Sequence, residues 1–143
     1  MKYQKENYYL IRKERFSLVY SINPGNFMEK ITVYEKPTCT TCRKVAKALL
    51  EIGIDFEKVN YYIEPFSKTK LKSLIKKMKM KPSEILRKNE KIYKGLKIRE
   101  KNFSEDQILD LMIKYPDLVQ RPIIEKEKKA ILARPTERIK ELF

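Results

Sequence analysis

The run Ile31-Thr32-Val33-Tyr34, followed by Cys39-Thr40-Thr41-Cys42 and then Val45-Ala46 and Leu49, decides the fold. The apolar, β-branched stretch at about 31–35 reads as a strand. Cys42, Val45, Ala46 and Leu49 then fall at i, i+3, i+4 and i+7, one buried face of a helix over 40–52. Gly53 stands where a helix C-terminus needs a left-handed residue. A second strand is expected over 56–61. Strand, helix, strand makes a βαβ unit, whose strands should run parallel through a right-handed crossover.

The two cysteines are the only ones in the chain. A thiol is a nucleophile as thiolate, and a helix N-terminus favours negative charge through its unpaired N–H groups and its dipole. Cys39 stands at that terminus, with Thr40, Thr41 and Arg43 beside it, so its pKa should lie below the free value of about 8.5. Cys39 therefore reads as the attacking sulfur and Cys42, on the core face, as the shielded resolving one. A structural zinc site wants four ligands, and the chain has no histidine and no further cysteine, so no metal is expected. Metal shared between two chains stays formally open. A structural disulfide is disfavoured without an export signal, and two inert buried thiols would leave the strand-to-helix position unused.

At 143 residues the length suits one domain. No apolar run nears the roughly 18 residues that span a membrane, and the first residues lack the contiguous apolar core of a secretory signal, so a cytoplasmic protein without a membrane partner is expected. Lys and Arg number 33 against 19 Asp and Glu, a net charge of +14 that favours anionic partners. The lysines are dispersed rather than gathered in a tail, which fits solvated faces better than nucleic-acid binding.

Residues 1–27 read as an extension, or as the product of a start placed upstream of a native one at Met28, with the domain over 28–143; Phe16-Ser17-Leu18-Val19-Tyr20 offers an alternative edge strand. Further on, Leu71, Leu74, Ile75 and Met78 share one helical face, with Lys68, Lys72, Lys76 and Lys79 on the other. Ser104-Glu105-Asp106-Gln107 has the form of a capping box, followed by Ile108, Leu111, Met112 and Tyr115 at helical spacing and a stop at Pro116. Ile123-Ile124 and Ile131-Leu132 read as a hairpin around a charged Glu125–Lys129 loop, and a terminal helix follows, capped by Thr136. The sum is an α/β fold with a thioredoxin-like mixed sheet: a βαβ unit, an inserted helical segment, then a β-hairpin and a helix.

Four motifs carry a resemblance to a family: Pro37-Thr38-Cys39-Thr40-Thr41-Cys42-Arg43, Leu86-Arg87-Lys88-Asn89, Gln120-Arg121-Pro122-Ile123 and Ala133-Arg134-Pro135-Thr136-Glu137. In this order they resemble the glutaredoxin-coupled arsenate reductases, which share a thioredoxin-like fold with the Spx-type transcriptional regulators. The likeness spans about Met28 to Phe143. It implies Cys39 as catalytic cysteine and Arg87, Arg121 and Arg134 as oxyanion-binding arginines. The residue types suit the chemistry, because a thiolate must approach an anion and planar guanidinium groups offset the charge with paired hydrogen bonds. Each arginine taken singly reads as a surface ion pair; the flanking motifs argue for function. Pro122 matches a family proline preceded by a cis peptide beside the active cysteine.

Two departures bear on the mechanism. The glutaredoxin-coupled enzymes typically have serine where this chain has Cys42, and a C-x-x-C resembles the Spx-type members and many uncharacterised relatives instead. The family histidine before the active-site loop is here Glu35, whose carboxylate would oppose thiolate formation if turned inward. The Arg134 motif, generally missing from Spx-type relatives, favours an oxyanion-reducing enzyme. The resemblance thus implies a reductase of arsenate or another oxyanion, without a bound cofactor and with glutathione and glutaredoxin, or thioredoxin, as electron donor. The alternative is an Spx-like sensor that binds RNA polymerase through a Cys39–Cys42 disulfide switch.

Overall fold

Strand β1 (Ile31–Glu35) lies buried along its whole length, and the sheet is assembled around it. The computed structural model describes residues 29–143; the expected extension at 1–27 and the alternative edge strand at 16–20 lie outside the described residues. β2 (Glu57–Asn60) pairs parallel with β1, β3 (Ile123–Lys126) pairs antiparallel on its other side, and β4 (Lys129–Leu132) closes the hairpin, giving the order β2-β1-β3-β4. Both strand spans of the βαβ reading hold to within a residue.

Helix α1 (Thr40–Glu51) crosses one face of the sheet. Its buried residues are Cys42, Val45, Ala46 and Leu49, the face expected from spacing, and of these Val45 and Leu49 pack with Ile31, Val33, Ile124 and Ile131. Each fully buried aliphatic side chain there stabilises the fold by roughly 1.5–3 kcal/mol. The helix ends as Gly53 takes φ +75°, letting Gly53 N–H reach Leu50 O at 3.0 Å and Ile54 N–H reach Leu49 O at 2.9 Å. This pair of bonds is a Schellman motif, which satisfies the last carbonyls of the helix.

The inserted segment covers the other face. It comprises α2 (Lys68–Lys77), η1 (Pro82–Ile85), α3 (Lys91–Gly95), α4 (Glu105–Lys114) and η2 (Pro116–Leu118), where η marks 3-10 turns. Leu71, Leu74 and Ile75 pack with Ile108, Leu109, Met112 and the strand residues Tyr34 and Ile123. Ser104 and Gln107 form the expected capping box at α4, and Tyr115 before Pro116 ends it. Lys68 does not face solvent alone: it bridges Asp106 and Asp110 across the two helices at 2.8 and 2.7 Å.

Two sequence readings need correction. The strands run further into the hairpin than its charged composition suggested, leaving Glu127 and Lys128 between them, and Glu125 is a buried β3 residue. Its carboxylate accepts hydrogen bonds from Tyr34 Oη at 2.9 Å, Lys70 Nζ at 2.6 Å and Lys77 Nζ at 2.6 Å. Partners 48 or more residues away make this burial tolerable, and no local pattern records them. The terminal helix is a 3-10 helix, η3 (Thr136–Leu142); Thr136 is its first residue rather than its cap, and Pro135 holds the cap position without a side-chain hydrogen bond.

Burial resists ionisation of Glu125, but the bonds from Lys70, Lys77 and Tyr34 prevail and hold its pKa below the ordinary value. A carboxyl with a depressed folded-state pKa contributes stability that is complete above its unfolded pKa and lost as the pH falls through the folded one. Glu125→Gln is therefore expected to cost about 1–3 kcal/mol in urea unfolding at pH 7. The gap from wild type should narrow as the pH drops below the carboxylate range. An equal gap at pH 7 and pH 3 would show that the carboxylate charge contributes nothing.

Candidate active site

The sheet brings the sequence motifs together at the C-terminal end of β1. A short loop leaves Glu35, and Cys39 N–H bonds back to Lys36 O at 2.9 Å, so the chain turns directly into α1 with Cys39 as its N-cap. The sulfur does the work usually given to a Ser, Thr or Asp side chain: Cys39 Sγ accepts the backbone N–H of Cys42 at 3.4 Å. The first turn of α1 has no acidic residue, so its positive end is left for the sulfur. Cys39 is half-buried, Cys42 fully buried, and both are free thiols.

The register of β3 carries the next group. Tyr34 pairs with Ile123, which places Arg121 and Pro122 beside the loop that follows β1. The Arg121–Pro122 peptide is cis, as the motif implies, and the Arg134–Pro135 peptide is cis as well, which the sequence reading did not foresee. Leu132 of β4 pairs with Ile123, so the residues after β4 come alongside the same corner; Arg134 Nη1 donates to Arg121 O at 3.1 Å. Arg134 itself is exposed and lines an open groove of about 600 Å³ with Thr41, Lys44, Pro135, Thr136 and Glu137. Arg87 is tied to the same neighbourhood by its N–H to Leu118 O at 2.8 Å and the Leu86–Val119 bridge. Its side chain, however, is paired with Glu90, through Nε at 2.8 Å and Nη2 at 2.6 Å.

Arg121 is the cation built into the site. It is 6% exposed, and Nη1 donates to Tyr61 Oη at 3.4 Å and Tyr62 Oη at 3.3 Å, while Nε is buried without a hydrogen-bond partner. Burial opposes ionisation of Cys39, yet the hydrogen bonds from the Cys42 thiol and N–H, followed by the charge and hydrogen bond of Arg121, overcome it and lower the pKa. Arg43, the cation nearest in sequence, is exposed on α1. Cys42 goes the opposite way: burial first, then its bond to Cys39 and the negative charges of Cys39 and Glu35, push its pKa up to about 12. Glu35 is buried and 3.8 Å from Lys58, and its charge acts on the second thiol. The two sulfurs are thus differentiated, one with its ionisation favoured and one held as thiol.

Tyr61, Tyr62, Lys36 and Asp117 complete the corner, and sequence reasoning passed over all of them. A signal was available in the tyrosine pair, which directly follows β2, because open α/β sheets place their sites beyond the carboxyl ends of parallel strands. Asp117, four residues before Arg121, carried no such signal. Among the described residues no group of three or more His, Cys, Asp or Glu could hold a metal ion, and no helix is long and apolar enough to cross a membrane.

A thiol at a helix N-terminus, with a second thiol one turn on and a buried arginine beside it, on a four-stranded mixed sheet, places the chain in the thioredoxin-like fold class. The family profile described as ArsC matches residues 34–142. The arsenate reductase of Acidiphilium multivorum is 34% identical over 110 residues, covering 77% of this chain and 78% of that protein. The global transcriptional regulator Spx of Streptococcus pyogenes serotype M1 is 30% identical over 99 residues, 69% of this chain and 74% of that protein. The solved structure of an arsenate reductase from Vibrio cholerae matches with a TM-score of 0.76 at 26% identity, covering 80% of this chain and 98% of that one. The chain belongs to the ArsC family.

Proposed function

We propose that the protein is a thiol-dependent arsenate reductase with Cys39 as nucleophile. The observation that carries this reading is the placement of Cys39 Sγ at the N-terminus of α1 under the charge of buried Arg121. The Cys39 thiolate attacks the arsenic of the arsenate monoanion, one oxygen leaves as water after taking up a proton, and a sulfur–arsenic(V) adduct forms. Arg121 and Arg134 offset the oxyanion charge during this step, and Arg87 joins them when its fork turns from Glu90 to the substrate.

The second step removes the arsenic. The Cys42 sulfur attacks Cys39 Sγ, the electron pair of the sulfur–arsenic bond stays on arsenic, and the Cys42 proton passes to an arsenic-bound oxygen. The products are the arsenite monoanion and a Cys39–Cys42 disulfide, a two-electron reduction of arsenic(V) to arsenic(III). Glutathione with glutaredoxin, or thioredoxin, then returns both sulfurs to thiols. In the parent scheme glutathione itself resolves the adduct, and Cys42 has no obligatory part.

The test is arsenite production by the reduced protein, run in parallel with glutathione plus glutaredoxin and with thioredoxin plus its reductase. Turnover is expected in at least one arm. Cys42→Ser should lower the thioredoxin-supported rate by about 10²-fold or more if the intramolecular disulfide is the intermediate. Unchanged turnover of that variant with glutathione assigns resolution to glutathione. The Cys39–Cys42 hydrogen bond and the Spx relative support a second reading, a redox sensor whose disulfide controls binding to RNA polymerase. No turnover in either arm, with redox-dependent capture of polymerase, would replace the first reading by the second.

A further inference from the structure

We propose that Tyr62 and Asp117 form a positioning clamp that holds the Arg121 guanidinium against Cys39, and that Lys36 ties the nucleophile's loop to the same carboxylate. The inference deepens the proposed role of Cys39 and Arg121 and rests on it.

The argument begins with proton direction. A tyrosine hydroxyl has one proton to donate and lone pairs to accept with. The Tyr62 proton is committed to Asp117 Oδ1, and the Tyr61 proton to Val119 O at 3.4 Å. Both oxygens are left as acceptors, and both accept from Arg121 Nη1. A hydroxyl free to rotate could turn its proton toward the guanidinium; these two cannot without giving up a bond. The guanidinium also lies 5.9 Å from the centre of the Tyr62 ring.

Asp117 extends the clamp to the nucleophile. Its Oδ1 also accepts from Lys36 Nζ at 3.3 Å, and the Lys36 ammonium sits 4.4 Å over the Tyr62 ring. Lys36 is the residue whose carbonyl receives Cys39 N–H. One carboxylate on η2 therefore anchors both the loop that presents the sulfur and the hydroxyl that orients its counter-charge. Sign alternates along the line: Asp117 carboxylate, Tyr62 hydroxyl, Arg121 guanidinium, Cys39 thiolate. Bonds from Tyr62 and Lys36 keep Asp117 ionised, the first of these outweighing its partial burial. Burial and the Asp117 bond keep Tyr62 neutral.

The other charged and titratable neighbours have separate partners. Glu35 of β1 lies by Lys58 and raises the Cys42 pKa, Arg87 is paired with Glu90, and Arg134 bonds the Arg121 carbonyl rather than its guanidinium. Tyr61, pushed up to about 12 mainly by burial, stays neutral over the working range. The Tyr62–Asp117 pair is thus the adjustable restraint on Arg121.

The experiment measures the iodoacetamide alkylation rate of Cys39 against pH, followed by peptide mass spectrometry, in the reduced full chain and in Tyr62→Phe, Asp117→Ala and the double variant. Thermal unfolding is run alongside. Wild type should alkylate with a midpoint below that of a free cysteine. In both single variants the midpoint should move upward, with alkylation near pH 6 slowed about 3- to 10-fold and rates converging above the thiol pKa. The double variant should add little to either single one, because the two residues act in series. Asp117→Asn keeps an acceptor for Tyr62 and should shift the midpoint less than Asp117→Ala.

Superimposed profiles for wild type, Tyr62→Phe and Asp117→Ala would overturn the clamp, even if the variants melt earlier. A wild-type midpoint at the free-cysteine value would overturn the activated-thiol reading and the clamp with it. Shifted profiles in a protein that does not reduce arsenate would support the clamp and remove the substrate assignment.

Discussion

Replacing Cys39 with serine is expected to lower arsenite production by at least about 10³-fold while leaving the fold intact. The serine hydroxyl is a far weaker acid than the thiol, so the charge of Arg121 and the N–H of Cys42 cannot generate an oxyanion nucleophile at neutral pH. Serine is also a good N-cap, so its oxygen can take the Cys42 N–H that the sulfur now accepts. Thermal unfolding should therefore be unchanged or slightly raised, and the lost activity is chemical rather than structural. Substantial turnover by this variant would refute Cys39 as the attacking group and return the question to Cys42, whose buried, proton-bearing sulfur is poorly placed for substrate.

Arg121→Met is the second large effect. Loss of a charge aimed at a reacting oxyanion typically lowers the rate by about 10²–10³-fold, and a fall of that size in kcat/KM for arsenate is expected. The Cys39 alkylation midpoint should rise in the same variant, because Arg121 supplies both charge and a hydrogen bond to that sulfur. Stability should hardly suffer. Tyr61 and Tyr62 donate elsewhere, to Val119 O and Asp117, so losing the guanidinium leaves neither hydroxyl proton unpaired. Removing a buried charge whose Nε has no partner relieves a desolvation penalty. Arg121→Lys keeps a charge without the planar fork and should fall between wild type and methionine. Near-normal kcat/KM in Arg121→Met would move the oxyanion-binding role to Arg134 and Arg87.

The proposed division of labour between the thiols follows from their positions on one helix. Cys39 is at the N-cap, where the helix leaves N–H groups unpaired; Cys42 is one turn in, on the face that packs against β1 and β3. The same three-residue spacing gives one sulfur a reason to ionise and the other a reason to keep its proton. Serine at position 42 would leave the first of these effects largely in place, which is why the two substitutions report on different steps.

What the sequence by itself determined is the part built from neighbours along the chain. The α1 face, the Gly53 turn, the Ser104–Gln107 box, the stop before Pro116 and the N-cap position of Cys39 are each marked by a pattern of residues only a few positions apart. The arginines were legible as motifs, but their present partners were not: Arg87 faces Glu90, Arg134 holds a backbone carbonyl, and Arg121 alone is buried against the thiol. The tertiary structure decided that Glu125 is a buried strand residue served by Tyr34, Lys70 and Lys77, and that Tyr62 and Asp117 meet Arg121. The physical reason is separation along the chain. A capping or periodic pattern recurs over one or two helical turns, whereas the side-chain hydrogen bonds of Glu125 and Tyr62 join groups 48 to 91 residues apart, brought together only once the sheet has fixed its strand order.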